Sequence, residues 1–70
     1  MAWVRVNSSN IQKVKYDSGT STLSIGFNSG YVYEYQDVPK GVYDSLLKSS
    51  SKGKFFHQHI NKSYEYKKIM

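Results

Sequence analysis

The segment Tyr31-Val32-Tyr33-Glu34-Tyr35 carries an aromatic ring at every second residue and runs into Asp37-Val38-Pro39. Successive side chains of a strand point to opposite faces, so this alternation predicts a strand with its tyrosines on one side. Just upstream, Leu23, Ile25 and Phe27 alternate with Ser24 and Gly26. Asn28-Ser29-Gly30 separates the two runs as a three-residue hairpin loop, with glycine where left-handed backbone is needed. That length sets Phe27 opposite Tyr31, Ile25 opposite Tyr33 and Leu23 opposite Tyr35, all on one face. A two-residue loop would instead set Ile25 against Glu34.

Ser8-Ser9-Asn10 reads as a turn, and Ile11 to Tyr16 as a strand with Val14 and Tyr16 on one face and Lys13 and Lys15 on the other. Asp17-Ser18-Gly19-Thr20 is a turn signal; as a four-residue loop it sets Val14 opposite Leu23 and Tyr16 opposite Ser21. The result is an antiparallel meander with one aromatic face. Asp37 suits a helix N-cap or an N-terminal anion, and Pro39 a first helical turn. Val42 and Leu46, then Tyr43 and Leu47, repeat at the spacing of a helix face, which should end within Ser49-Ser50-Ser51. Gly53 marks a break, and Phe55 to Ile60 reads as a second short helix with Phe56 and Ile60 on one side. Tyr64 to Ile69 alternates as a last strand, and Ala2 to Val6 is a candidate partner for it. The expected fold is α+β, one domain over residues 1–70, with three to five antiparallel strands packed against a helix pair.

A chain of 70 residues leaves a large share of its surface exposed, so its core has to be efficient. Seven tyrosines, three phenylalanines and one tryptophan supply the buried area, because each ring covers much surface. Cysteine is absent, which removes disulfides, thiolate metal sites and thiol nucleophiles and suits a reducing cytoplasm. No apolar run approaches the roughly 18 residues that span a bilayer, and Met1-Ala2-Trp3-Val4-Arg5 lacks a signal-peptide core. The expectation is a cytoplasmic protein with no membrane contact. The net charge of +5 is uneven. Up to Leu47, Arg5, Lys13, Lys15 and Lys40 balance Asp17, Glu34, Asp37 and Asp44, whereas beyond it Lys48, Lys52, Lys54, Lys62, Lys67 and Lys68 face only Glu65. Such asymmetry points to a polyanion partner; the ordinary alternative is a solvated lysine face.

Ser8-Ser9-Asn10-Ile11, Tyr16-Asp17, Phe27-Asn28-Ser29-Gly30, Val32-Tyr33-Glu34-Tyr35, Val38-Pro39, Val42-Tyr43, Leu46, Ser51-Lys52-Gly53-Lys54-Phe55-Phe56, Ile60 and Tyr64 occur here in that order. In order and spacing they resemble the KTSC domain family, over residues 7 to 69. The family is a short module at the C-terminus of some lysyl-tRNA synthetases and a stand-alone small protein in bacteria and phages. Its central mark is Tyr-x-Tyr, matched here by Tyr33 and Tyr35. Two departures are His57, where the family often has asparagine, and Tyr64-Glu65-Tyr66, where it often has Tyr-Pro-Tyr. The resemblance implies nucleic-acid binding by its synthetase context, which is company rather than site chemistry.

The residues themselves offer three candidates. Tyr33 and Tyr35 could stack on bases, but their shared face with Leu23 and Ile25 reads first as core. The basic loop Ser49-Ser50-Ser51-Lys52-Gly53-Lys54 before a helix could hold phosphate; it is not a P-loop, since Phe55 follows and the upstream glycine is missing. His57 and His59 diverge by roughly 200° on a helix and have no third ligand, so no metal and no cofactor is expected. Asp17, Glu34, Asp37, Asp44 and Glu65 are scattered without a general acid–base pattern, so no enzyme is expected. The leading function is a non-catalytic RNA- or polyanion-binding module. Lys52, Lys54, Lys62, Lys67 and Lys68, with Ser51 and Gly53, would take phosphate, Lys13 and Lys15 would extend the patch, and Phe55 or Tyr66 would stack. The alternative is an accessory protein that binds a host protein or a nucleotide, its oligomeric state open.

Overall fold

The computed structural model describes residues 3–70. In chain order the elements are β1 (Val4–Arg5), β2 (Ile11–Asp17), β3 (Thr22–Phe27), β4 (Val32–Tyr35), α1 (Lys40–Lys48), α2 (Lys52–His59) and β5 (Tyr66–Lys68). The strands form one five-stranded antiparallel sheet in sequence order, a meander whose final hairpin is opened to admit the two helices. The expected α+β architecture is therefore the observed one.

The β3–β4 hairpin has the expected register: Leu23 faces Tyr35 and Ile25 faces Tyr33. Phe27 donates its N–H to the Tyr31 carbonyl at 2.9 Å, and Gly30 closes the loop at φ +99°. Tyr31 leaves the core that Tyr33 and Tyr35 join, because beyond Phe27 no helix covers it; it stays 49% exposed.

The first hairpin differs from its expectation. Val14 faces Ile25 and Tyr16 faces Leu23, so the loop is Ser18 to Ser21 and Asp17 pairs with Thr22. Asp17 belongs to the strand end, where its carboxylate accepts the Gly19 N–H at 2.9 Å, and Ser21 takes the left-handed conformation at φ 54°. The shift is one residue on each strand, so every side chain keeps its face. A bulge between Ile11 and Lys13 places Ile11 on the same face as Val14.

β1 pairs with β2, Val4 against Val14 and Arg5 against Lys13, and not with β5, which lies at the opposite edge beside β4. Ala2, included in the expected first strand, lies outside the described residues. β5 is shorter than the alternation suggested, although Gln36 donates to the Glu65 carbonyl and Ile69 to the Val32 carbonyl at its two ends.

Asp37 is not the N-cap of α1: it sits at φ 55° in the connection, and Pro39 occupies the cap with no side-chain hydrogen bond. What anchors this connection is Val38. Its N–H donates to the Ser21 carbonyl at 2.8 Å, and its carbonyl accepts the Tyr16 hydroxyl at 2.6 Å. α1 ends at Lys48, one residue before the expected serine run, with Ser49 as its C-cap. α2 begins at Lys52, so Gly53 lies inside its first turn rather than marking a break.

Both helices lie on the aromatic face. Leu46, Phe56 and Ile60 close over Ile11, Val14, Tyr16, Leu23, Ile25 and Tyr35. Tyr16 stacks on Tyr43 with centroids 5.2 Å apart, and Phe56 meets Phe27 and Tyr35 edge to face. Such aromatic pairs add about 0.5–1.5 kcal/mol each beyond the area they bury. Among the described residues, no helix or second sheet lies over the other face. No helix among the described residues is long and apolar enough to cross a membrane.

Candidate nucleic-acid interface

Strand alternation and register dictate what the uncovered face presents. One row across the sheet carries Arg5, Lys13, Gly26 and Val32. The next carries Lys15, Ser24, Glu34 and Lys67. A third, toward the Ser18–Ser21 loop, carries Asp17 and Thr22, with Gln36 hydrogen-bonded to Glu65 at the far edge. The face is thus polarised, with cations toward Arg5 and carboxylates toward Asp17 and Glu65.

Two details shape its cationic end. A Cβ on Gly26 would lie 2.9 Å from Lys13 Cγ, so the missing side chain lets the lysine stem lie flat over β3. Trp3, preceding β1, lies across the same face with Lys13 Nζ 4.7 Å and Lys15 Nζ 4.8 Å from its ring centroid. Two ammonium groups share one indole, an arrangement that its electron-rich face stabilises. From Lys15 toward the acidic end runs a trough of about 430 Å³ lined by Lys15, Asp17, Ser24, Glu34, Gln36 and Lys67, with Ser24 buried at its floor.

A second feature opens on the helix side of the sheet, at the β4–β5 rim. Tyr66 packs against Tyr33 and Tyr35 with centroids 5.4 and 5.6 Å away, yet remains 55% exposed. Lys68, opposite Tyr33 in register, reaches along the rim and places Nζ 4.2 Å from the Tyr31 centroid. Burial, with Tyr66 and Tyr33 nearby, pushes the Tyr35 hydroxyl up to about 12. Burial raises Tyr43 as well, with Asp44 adding and Lys40 opposing.

The lysines singled out in the sequence do not form one surface. Lys13, Lys15 and Lys67 share the uncovered face, whereas Lys68 projects from the other side of β5. Lys52 folds back from α2 and donates to the Ser49 carbonyl at 2.9 Å, closing the end of α1. Lys54 and Lys62 are exposed in the helix layer. Ser51 is the α2 N-cap and makes no side-chain capping bond. Gly53 is pressed against Asn10 and Ser8, so a Cβ there would collide with the Asn10 carboxamide. Phe55 is half-buried against His59 at 4.6 Å, which leaves Tyr66 as the more accessible of the two stacking candidates. His57 and His59 project from different sides of α2, and no group of three metal-ligating side chains occurs among the described residues. Trp3 escaped the sequence reading, and Tyr31, which the alternation assigns to the apolar face, stands half-exposed under Lys68 instead of in the core. The signal available for each was an aromatic at the start of a strand, next to positions that strand pairing fills with lysine.

A five-stranded meander with two helices on one face and a charged, uncovered second face defines a small α+β module. A family model described as the KTSC domain matches residues 7–64. A lysine–tRNA ligase of Trichormus variabilis is 41% identical over 59 residues, which are 84% of this chain and 10% of the ligase. A protein of Stutzerimonas stutzeri is 36% identical over 58 residues, 83% of this chain and 82% of its own length. The crystal structure of a KTSC domain protein from Yersinia pestis superposes with a TM-score of 0.93 at 31% identity, covering 99% of this chain and 97% of that one. The chain belongs to the KTSC domain family. It spans about a tenth of the length of the ligases it matches.

Proposed function

We propose that this domain is an RNA-binding module that holds a phosphate backbone against the cationic end of its uncovered sheet face. The observation that carries the reading is Trp3 lying under Lys13 and Lys15, next to Arg5, on a face no other layer covers. Lysine and arginine neutralise phosphates, and an aromatic ring among them offers a base a stacking surface. Asp17 and Glu65 at the opposite end repel the backbone and confine it to the Arg5 side. The ligase relatives act, by name, on a transfer RNA, which is consistent company for such a module.

The test is titration of the protein into labelled single-stranded RNA, RNA duplex and a transfer RNA at low and physiological salt. Saturable binding at physiological salt is expected, with a salt slope that counts the phosphates contacted. Lys13→Glu/Lys15→Glu should weaken it about tenfold or more in a variant that stays folded, its melting temperature falling only by the small contribution of the two Trp3 contacts. Lys52→Glu/Lys54→Glu should weaken it less, because Lys52 is tied to Ser49. Unchanged affinity in the Lys13/Lys15 double variant removes the site. A second reading, docking of a protein, draws on Tyr31, Ile69 and Met70, exposed together at one end of the sheet. Salt separates the two, since an apolar interface does not weaken steeply with ionic strength.

A further inference from the structure

We infer that the groove at the β4–β5 rim, on the helix side of the sheet, is a stacking site for one unpaired base of single-stranded RNA. The inference rests on the RNA-binding reading and adds a second, differently built contact to it. The groove holds about 290 Å³ and is walled by Tyr31, Tyr33, Tyr66 and Asn61, with Phe56 and Tyr35 at its base. That volume lies at the lower limit of small-molecule sites, room for a single planar ring and far too little for a duplex.

The walls match a base. Tyr66 rests on Tyr33 and Tyr35 at ring tilts of 35° and 36°, so one side of its ring is supported and the other is open to solvent. A ring held this way loses little freedom when a base stacks on it. The Asn61 side chain carries an amide, which both donates and accepts and so suits the polar edge of a base. Charge at the mouth has the sign a nucleotide requires. Lys68 Nζ stands over Tyr31, Lys62 follows Asn61 in the exposed turn, and among the described residues no carboxylate lines the groove. Glu65, next to Tyr66 in the chain, belongs to the opposite face with Glu34 and Lys67 by strand alternation.

The experiment is fluorescence anisotropy at one fixed salt concentration with a labelled single-stranded RNA, a blunt duplex of equal length, and AMP as competitor. Tyr66→Ala, Tyr66→Phe and Lys68→Ala are compared with the parent, each checked for folding by circular dichroism. Tyr66→Ala should weaken single-strand binding roughly tenfold, the scale of one lost base stack, and leave duplex binding within about twofold. Tyr66→Phe keeps the ring and should bind like the parent. Lys68→Ala, which leaves Tyr66 untouched, should weaken the single strand severalfold and serves if Tyr66→Ala unfolds. Parent-like single-strand binding in Tyr66→Ala, or in Lys68→Ala should Tyr66→Ala not fold, overturns the inference while leaving the RNA-binding reading in place. Equal weakening on single strand and duplex does the same. AMP binding as tightly as the oligonucleotide overturns it too, since the occupant would then be a free nucleotide. Absence of RNA binding by the parent removes both readings.

Discussion

Glycine occupies the second position of both helices, Gly41 in α1 and Gly53 in α2, and its surroundings differ. A Cβ on Gly41 meets nothing within 4 Å, whereas one on Gly53 strikes the Asn10 carboxamide and comes within 3.3 Å of Ser8 Oγ. Alanine in a helix recovers backbone entropy, at most about 1 kcal/mol relative to glycine. Gly41→Ala should therefore stabilise the protein by about 0.5–1 kcal/mol. Gly53→Ala should return less or nothing, because Asn10 has to swing aside and give up its bond from Ser8 Oγ, 3.1 Å long. Urea denaturation of Gly53→Ala with and without Asn10→Ala checks this. The second substitution should restore the benefit to the Gly41→Ala level, and strict additivity of the two would refute the close contact. The family motif around Gly53 thus has a packing reason: the Ser8-Ser9-Asn10 turn leans on the start of α2. The turn is also gripped from the β3–β4 loop, since the Asn28 side chain donates to the Ser9 carbonyl at 3.1 Å.

At the scale of elements, the two tight hairpin loops each contain one glycine, and only one of them requires it. Gly30 sits at φ +99°, while the left-handed residue of the first loop is Ser21 at φ 54°. Gly30→Ala should cost about 1–2 kcal/mol, the penalty of a Cβ in left-handed backbone. For a domain of this size that lowers the melting temperature by about 4–8 °C per kcal/mol. Gly19→Ala, whose Cβ would lie 3.3 Å from Asp17 Oδ1, should shift the melting temperature far less in the same calorimetric scan. This asymmetry explains which register could be read from the sequence. For β3–β4, loop length, glycine position and the apolar alternation all agreed. For β2–β3, glycine was a misleading marker, and the turn is closed instead by the Asp17 carboxylate on the Gly19 N–H. The bulge was hidden as well, because Ile11 and Val14 are three apart and strict alternation would part them. Helix α2 starts early for a related reason: glycine reads as a breaker until its second-position geometry is seen.

For the whole molecule, the sequence showed that the last third is rich in lysine but not where those lysines go. The chain crosses between helix layer and sheet edge after Ser63, which sends Lys52 and Lys54 to one layer and Lys67 to the other face. Meanwhile β1–β2 pairing brings Trp3 and Arg5 to Lys13 and Lys15, an association no local spacing reveals. Of the tyrosines expected to be core, Tyr35 is buried in it and Tyr33 packs half-buried against it, and the closeness of both to Tyr66 has a consequence for stability against pH. Tyr35 loses its proton at about 12 in the folded protein, against 10 in an exposed chain. Its neutral form is favoured by folding, so this contribution is fully present below pH 10 and disappears between pH 10 and 12, where the unfolded chain ionises first. Tyr43, raised in the same direction by burial, adds to that loss. Urea midpoints should hold level from pH 8 to 9.5 and then fall, and Tyr35→Phe should fall less steeply than the parent across the same window. The difference between the two slopes isolates the contribution of the Tyr35 hydroxyl. Parallel slopes would mean that the Tyr35 hydroxyl ionises as freely in the fold as in the unfolded chain, and that the rim of the groove is wetter than the packing of Tyr35 against Tyr66 and Phe56 implies.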